Sequence, residues 1–180
     1  MQSPGTDPLL LDLAAGDERA YALLYDRFAG RLYRVALAML GRAEDAEDVV
    51  QELFLAVVRS RKRLPYVQDL TAYMFSSLRR AAGRRSARLA PPAVPLDAVG
   101  EPAAPADRPE ADSPHTAALA RAMQSLPPKQ REVIALKFDA ELTFAEIARV
   151  IGISSNTAAS RCRYALEKLR LALLRAGGER

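Results

Sequence analysis

The sequence predicts an all-α protein: two small helical domains joined by a flexible linker. Three observations carry that expectation. Aromatic residues make up 6% of the 180 residues, Trp is absent, and Ala and Leu are abundant, a balance that favours helix over sheet. Apolar residues recur at spacings of three and four in both halves of the chain, the period of helices with one buried face. Between residues 90 and 114 that period vanishes, and seven of the twelve prolines lie there among Ala and scattered acids, the composition of a partly extended linker. At 49% hydrophobic, the chain has enough apolar material to bury a core.

In chain order, residues 1 to 7 are expected to fray and residues 8 to 15 to form a short helix ending near Gly16. Asp17 is a good N-cap for a long amphipathic helix carrying Ala20, Leu23, Leu24, Phe28, Leu32, Val35, Ala36 and Met39 up to Gly41. Glu44, Asp45, Glu47 and Asp48 suit the positive end of the next helix dipole, with Val49, Leu53, Phe54, Val57 and Val58 packed inward. Pro65 stops that helix, residues 64 to 69 read as a loop, and a third long helix runs from Leu70 to about Leu89 with a strongly basic far end. After the linker, helices are expected from about Thr116 through Met123 and, past Pro127 and Pro128, over Val133, Ile134, Leu136 and Phe138. The domains then span residues 1–89 and 116–180, with the linker at 90–115.

The C-terminal stretch is the most specific. Thr143 and Glu146 form a capping box, Ile147, Ala148 and Ile151 an apolar stripe, and Gly152 the left-handed helix end. Ser154 caps a second helix whose buried face is Ala158, Cys162, Ala165, Leu166, Leu169 and Leu173. Such a pair, basic and polar on the outer side of its second helix, predicts a helix-turn-helix entering the DNA major groove. At about 100° per residue the face opposite the stripe presents Asn156, Ser160 and Arg163 as base readers. Arg161 and Tyr164 flank that face, and Ser154, Ser155 and Thr157 stand at the helix start, where hydroxyls and free NH groups meet a backbone phosphate.

Charge is unevenly placed. Residues 59 to 88 hold nine basic side chains and one acidic, whereas the first 58 residues hold ten acidic and five basic. One surface for a polyanion and another for a basic partner follow from that asymmetry. Asp48, Gln51 and Glu52, at i, i+3 and i+4, share one helix face suited to a basic protein groove. One Cys excludes an internal disulfide, and one Cys with one His does not build a protein metal site, so no metal or cofactor is expected. No apolar run approaches the roughly 20 residues that span a bilayer, and no signal segment opens the chain; a soluble, cytoplasmic protein is expected. No nucleophile paired with a base, no paired catalytic carboxylates and no phosphate-cradling Gly loop appears, which argues against an enzyme.

The run from Glu44 to Leu55 (EDAEDVVQELFL) resembles the core-polymerase-binding segment of bacterial sigma factors. The runs Leu126 to Ile134 (LPPKQREVI), Leu142 to Ala148 (LTFAEIA), Gly152 to Ser154 and Asn156 to Arg161 (NTAASR) resemble their fourth conserved region. With a second-region-like bundle, a linker and a fourth-region-like helix-turn-helix domain, the chain resembles the small extracytoplasmic-function (ECF) group. The resemblance implies core RNA polymerase as the partner, at the clamp helices of its largest subunit and its flap region, with the clamp helices bound by Asp45, Asp48, Gln51 and Glu52. It implies melting of a minus-10 element by residues 64 to 70, including Tyr66, and by Tyr73, Arg79, Arg80 and Arg84. It also implies duplex reading of a minus-35 element by the helix starting at Ser154, and an anti-sigma partner. Departures from the common pattern are Tyr73 in place of Trp, Val57 and Val58 in place of an Ala-Trp pair, Arg80 and Arg84 in place of Asn and Asp, and Ala158 and Ala159 in place of a Val-Lys pair. The competing readings are a stand-alone helix-turn-helix regulator with a helical dimerisation or sensing domain, and a helical adaptor that binds only protein.

Overall fold

The computed structural model describes residues 7–89 and 114–177, and all their regular structure is helical. The helices are α1 (Pro8–Ala15), α2 (Glu18–Leu40), α3 (Ala43–Arg59), α4 (Leu70–Leu89), α5 (Pro114–Ser125), α6 (Pro128–Ile134), α7 (Phe144–Ile151) and α8 (Ser155–Gly177). Residues 1–6 and most of the expected linker lie outside the described residues; its last two, Pro114 and His115, belong to α5.

Local chemistry sets the boundaries. Asp7 accepts from the Leu9 NH at 3.1 Å and Asp17 from the Arg19 NH at 2.7 Å, so α1 and α2 both start on an aspartate cap. Asp69 does the same for α4, accepting from the Ala72 NH at 2.9 Å. The Thr143 capping box is complete: its hydroxyl accepts from the Glu146 NH at 3.2 Å and its NH donates to Glu146 at 2.7 Å. Those bonds hold the Glu146 carboxyl below its ordinary range. The box is therefore fully formed above the ordinary Glu pKa and weakens as pH falls through the lowered value. Gly152 ends α7 at φ +71°, a conformation that L side chains rarely adopt, so a glycine stands there.

Four expectations are corrected. Residues 64 to 69 are not all loop: a 3-10 segment spans Arg61–Tyr66, because Leu64 is fully buried and the segment packs under α1. On α8, Leu166 and Leu173 do not share the buried face; they are 43% and 36% exposed, since none of residues 170–175 is buried. Leu23 and Val58, expected inside, are also exposed, on the outer faces of α2 and α3. Phe138 is exposed as well, because α6 does not continue as a regular helix. It widens into a π turn over Ala135–Asp139, where the Ala140 NH reaches back to the Ala135 carbonyl at 3.0 Å.

That widened turn joins the two halves. It leaves the carbonyls of Asp139 and Ala140 outside the helical ladder, at the negative end of a helix where cations are favoured. Arg34 donates to the Asp139 carbonyl at 3.1 Å, and Arg31 donates through both Nε, at 3.0 Å, and a terminal NH2 to the Ala140 carbonyl. The Ser76 hydroxyl on α4 donates to the Val150 carbonyl on α7 at 3.2 Å, and Asp69 pairs with Arg149 at 3.2 Å. The buried residues of both halves form one continuous core, from Phe28, Phe75 and Leu78 on one side to Val133, Leu142 and Ile147 on the other.

Glu141, in the turn before α7, has φ +57°, the left-handed conformation that costs a non-glycine residue about 1–2 kcal/mol. Glu141→Gly relieves that cost and adds unfolded-state entropy, so a net gain of up to about 1 kcal/mol is expected by urea denaturation. A loss of stability would mean that the Glu141 side chain, rather than its backbone, is what the turn needs.

Candidate nucleic-acid interface

The outer face of α8 is built by its inner one. Ala158, Cys162 and Ala165 are buried at 0%, 4% and 0% exposure, with Leu169 following at 7%. Fixing that stripe leaves Ser155, Asn156, Arg163 and Tyr164 exposed and Thr157, Ser160 and Arg161 partly so. Ser154, also exposed, accepts from the Thr157 NH at 3.1 Å and so caps the helix that it precedes. The Arg163 guanidinium lies 5.3 Å from the Tyr164 ring centroid, a cation-π contact that holds the arginine at the surface. Burial pushes the Cys162 thiol up, with Lys137 opposing, which suits a small packing residue rather than a reactive one.

The acidic helix α3 sorts its carboxylates by depth. Asp45 is 3% exposed and accepts from Arg85 Nε at 2.7 Å; its other oxygen has no hydrogen bond, with Arg42 Nε 3.7 Å away. Asp48, Gln51 and Glu52 lie at the surface. Arg85 also reaches Asp48 at 3.1 Å, and Arg84 reaches Glu52 at 3.7 Å. The bond from Asp45, ahead of a smaller opposing burial cost, raises the Arg85 pKa. The acidic face of α3 and the basic end of α4 are therefore one electrostatic unit. The sequence places Arg85 in the basic end of α4 but not beside Asp45 and Asp48.

The residues assigned to the minus-10 element do not form one free patch. Tyr66 is 85% exposed at the end of the 3-10 segment. The Tyr73 hydroxyl lies 3.3 Å from the Ser60 hydroxyl, Arg80 donates to Ser77 at 2.9 Å, and Arg84 faces Glu52. Arg79 points across to the second half and pairs with Glu132 at 2.6 Å. Glu132 was not singled out by its sequence context. A cleft of about 640 Å³ lies at this junction, with Arg79, Arg80, Lys129 and Arg131 in its walls.

Residues 24–90 match Sigma-70 region 2, and residues 122–171 match Sigma-70, region 4. Over 171 residues the chain is 32% identical to the ECF RNA polymerase sigma factor SigL of Mycobacterium tuberculosis, covering 91% of this chain and 94% of that protein. The chain belongs to the ECF sigma factors. It is also 30% identical over 168 residues to the ECF RNA polymerase sigma factor SigE of Mycolicibacterium smegmatis, covering 87% of this chain but 64%, under two thirds, of that relative. Among solved structures, CnrH in complex with the cytosolic domain of CnrY is similar at a TM-score of 0.69 and 25% identity, covering 93% of this chain and 96% of that one. A sigma factor is a DNA-binding transcription protein and not an enzyme. Among the described residues no group of three or more His, Cys, Asp or Glu is placed to hold a metal ion, and no helix is long and apolar enough to cross a membrane.

Proposed function

We propose that this ECF sigma factor, acting in the cytoplasm, binds core RNA polymerase through α3 and directs it to promoters that it reads at two elements. Asp48, Gln51 and Glu52 meet the polymerase clamp, while Asp45 and Arg85 beneath them set the position of that face. The flap region of polymerase is a further contact of the chain. Ser154, Ser155, Asn156, Thr157, Ser160, Arg161, Arg163 and Tyr164 read the minus-35 duplex, the hydroxyls on phosphate and Asn156, Ser160 and Arg163 toward base edges. Tyr66, Tyr73, Arg79, Arg80 and Arg84 take the minus-10 strand as it unpairs, stacking and neutralising it. The observation that carries this reading is the pairing, in one chain, of an exposed polar face on α8 with an exposed acidic face on α3. A stand-alone helix-turn-helix regulator has no use for the second.

CnrH, to which the chain is similar, holds the cytosolic domain of another protein. We extend that to an anti-sigma partner here. Capture of purified core polymerase by the full chain, followed by promoter-dependent run-off transcription, tests the whole proposal. Specific initiation supports it, and a chain that binds duplex DNA yet neither captures polymerase nor initiates belongs to the regulator class.

Arg163→Ala is expected to cost about 1–3 kcal/mol of minus-35 binding and to relax preference at one base pair. A uniform loss across sequences, with a shallower salt dependence, would place Arg163 on phosphate instead.

A further inference from the structure

We propose that Glu132 stands in for a DNA phosphate: its carboxylate holds Arg79 in the packed molecule, so single-stranded DNA and the packing of the two halves compete for one guanidinium. This rests on the reading of Arg79 as a single-strand contact. Carboxylate and phosphate oxygens are both anionic acceptors for a guanidinium, and the Arg79 Nε that donates to Glu132 cannot serve a phosphate at the same time.

The surroundings make the competition sharp. Glu132 Oε1 lies 2.6 Å from Arg79 Nε, and the Glu132 side chain is 11% exposed against 47% for Arg79. The cation is reachable from solvent, whereas the acid is not. Arg79, Arg80, Lys129 and Arg131 line the cleft, and among the described residues Glu132 is the only acid in its walls. Arg131 is turned away, donating to the Gln124 and Leu126 carbonyls at 3.2 and 3.1 Å. Arg80 is occupied by Ser77. Arg79 is therefore the ionic partner of Glu132. Arg31, Arg34 and Ser76 also bridge the halves, each to a backbone carbonyl, and Asp69 pairs with Arg149, their side chains 31% and 59% exposed.

A shielded carboxylate stripped of its cation is strongly unfavourable, so withdrawal of Arg79 by a phosphate drives Glu132 toward water and the halves apart. Linkage makes the effect reciprocal: whatever weakens the ion pair strengthens single-strand binding by the same factor. The α8 reading face lies outside this contact and stays exposed in the packed form. Duplex binding is accordingly untouched by the competition.

The test uses the full-length chain, wild type and Glu132→Gln, with a fluorescent single-stranded oligonucleotide and a duplex of unrelated sequence read by anisotropy. Small-angle scattering of the wild type with and without the single strand is measured alongside. Glu132→Gln is expected to bind the single strand about 5- to 20-fold tighter, within the usual range of such couplings, and the duplex within twofold of wild type. The wild type is expected to expand when the single strand saturates it. Equal single-strand affinity of the two proteins, or a wild-type complex as compact as the free chain, overturns the proposal. If neither protein binds a single strand but Glu132→Gln is more expanded than wild type, Arg79 is not a DNA contact and the ion pair is only a fastening. The wild-type scattering series does not depend on the variant's folding.

Discussion

Replacing Phe75 with alanine is expected to lower the free energy of unfolding by about 3–5 kcal/mol and to loosen the junction between the halves in the same step. Phe75 is 1% exposed and meets the edge of Phe28 at a centroid distance of 6.3 Å. Its ring also carries the Arg31 guanidinium, 5.4 Å from the centroid, and Arg31 in turn donates to the Ala140 carbonyl of the second half. Truncation thus leaves a cavity in the first half and removes the surface that orients an arginine bridging to the second. Urea denaturation measures the first effect, and hydrogen exchange over residues 135–142 the second. A large loss of stability with unchanged exchange in that segment would make Phe75 a core residue and nothing more.

Asp48→Arg is expected to weaken polymerase binding by at least tenfold, because a like charge set against a basic protein groove costs several kcal/mol. The fold should survive. Asp48 has 59% of its side chain exposed, and Arg85 keeps the buried Asp45 as its first partner when Asp48 is lost. Affinity capture of core polymerase, with circular dichroism as a check on folding, reads the effect. A folded variant that binds polymerase as well as wild type would leave the acidic face of α3 merely solvated, and the polymerase contact would have to be sought elsewhere on the first half.

Most of the helical architecture was readable because its punctuation is local. Asp17, Thr143 and Ser154 mark helix starts through bonds to NH groups two or three residues on, and Gly16, Gly41 and Gly152 mark ends through left-handed backbone, whereas Asp7, expected to fray, caps α1. The depth of Asp45 is present in the sequence too, although the spacing of Asp45, Asp48, Gln51 and Glu52 suggests one exposed face. Asp45, Val49 and Leu53 fall at i, i+4 and i+8, so the carboxylate belongs to the buried stripe, while Asp48 and Glu52 follow another line. Its acidic neighbours Glu44 and Glu47 masked that phase. By contrast, Leu166 and Leu173 continue the apolar spacing of α8 faithfully, and periodicity has no means of telling that α8 loses its cover after Leu169.

The candidate site was legible where one helix makes it and not where two do. The α8 face follows from the phase of Ala158, Cys162 and Ala165. The partners of Arg79 and Arg85 lie 53 and 40 residues away along the chain, and no local pattern announces either. Nor does any residue type announce the widened turn after α6, whose five residues ALKFD are ordinary helix formers apart from the last.

Arg31 and Arg34 are received in that turn by main-chain oxygens, which no substitution at the receiving end deletes. Alanine scanning of the second half would pass over this joint, and only substitution of the two arginines in the first half would register it. Chain length is what the receiving side must preserve. Removing one residue between Ala135 and Ala140 would rotate both carbonyls out of reach, so an in-frame deletion here should part the halves where any single exchange at position 139 would leave them joined.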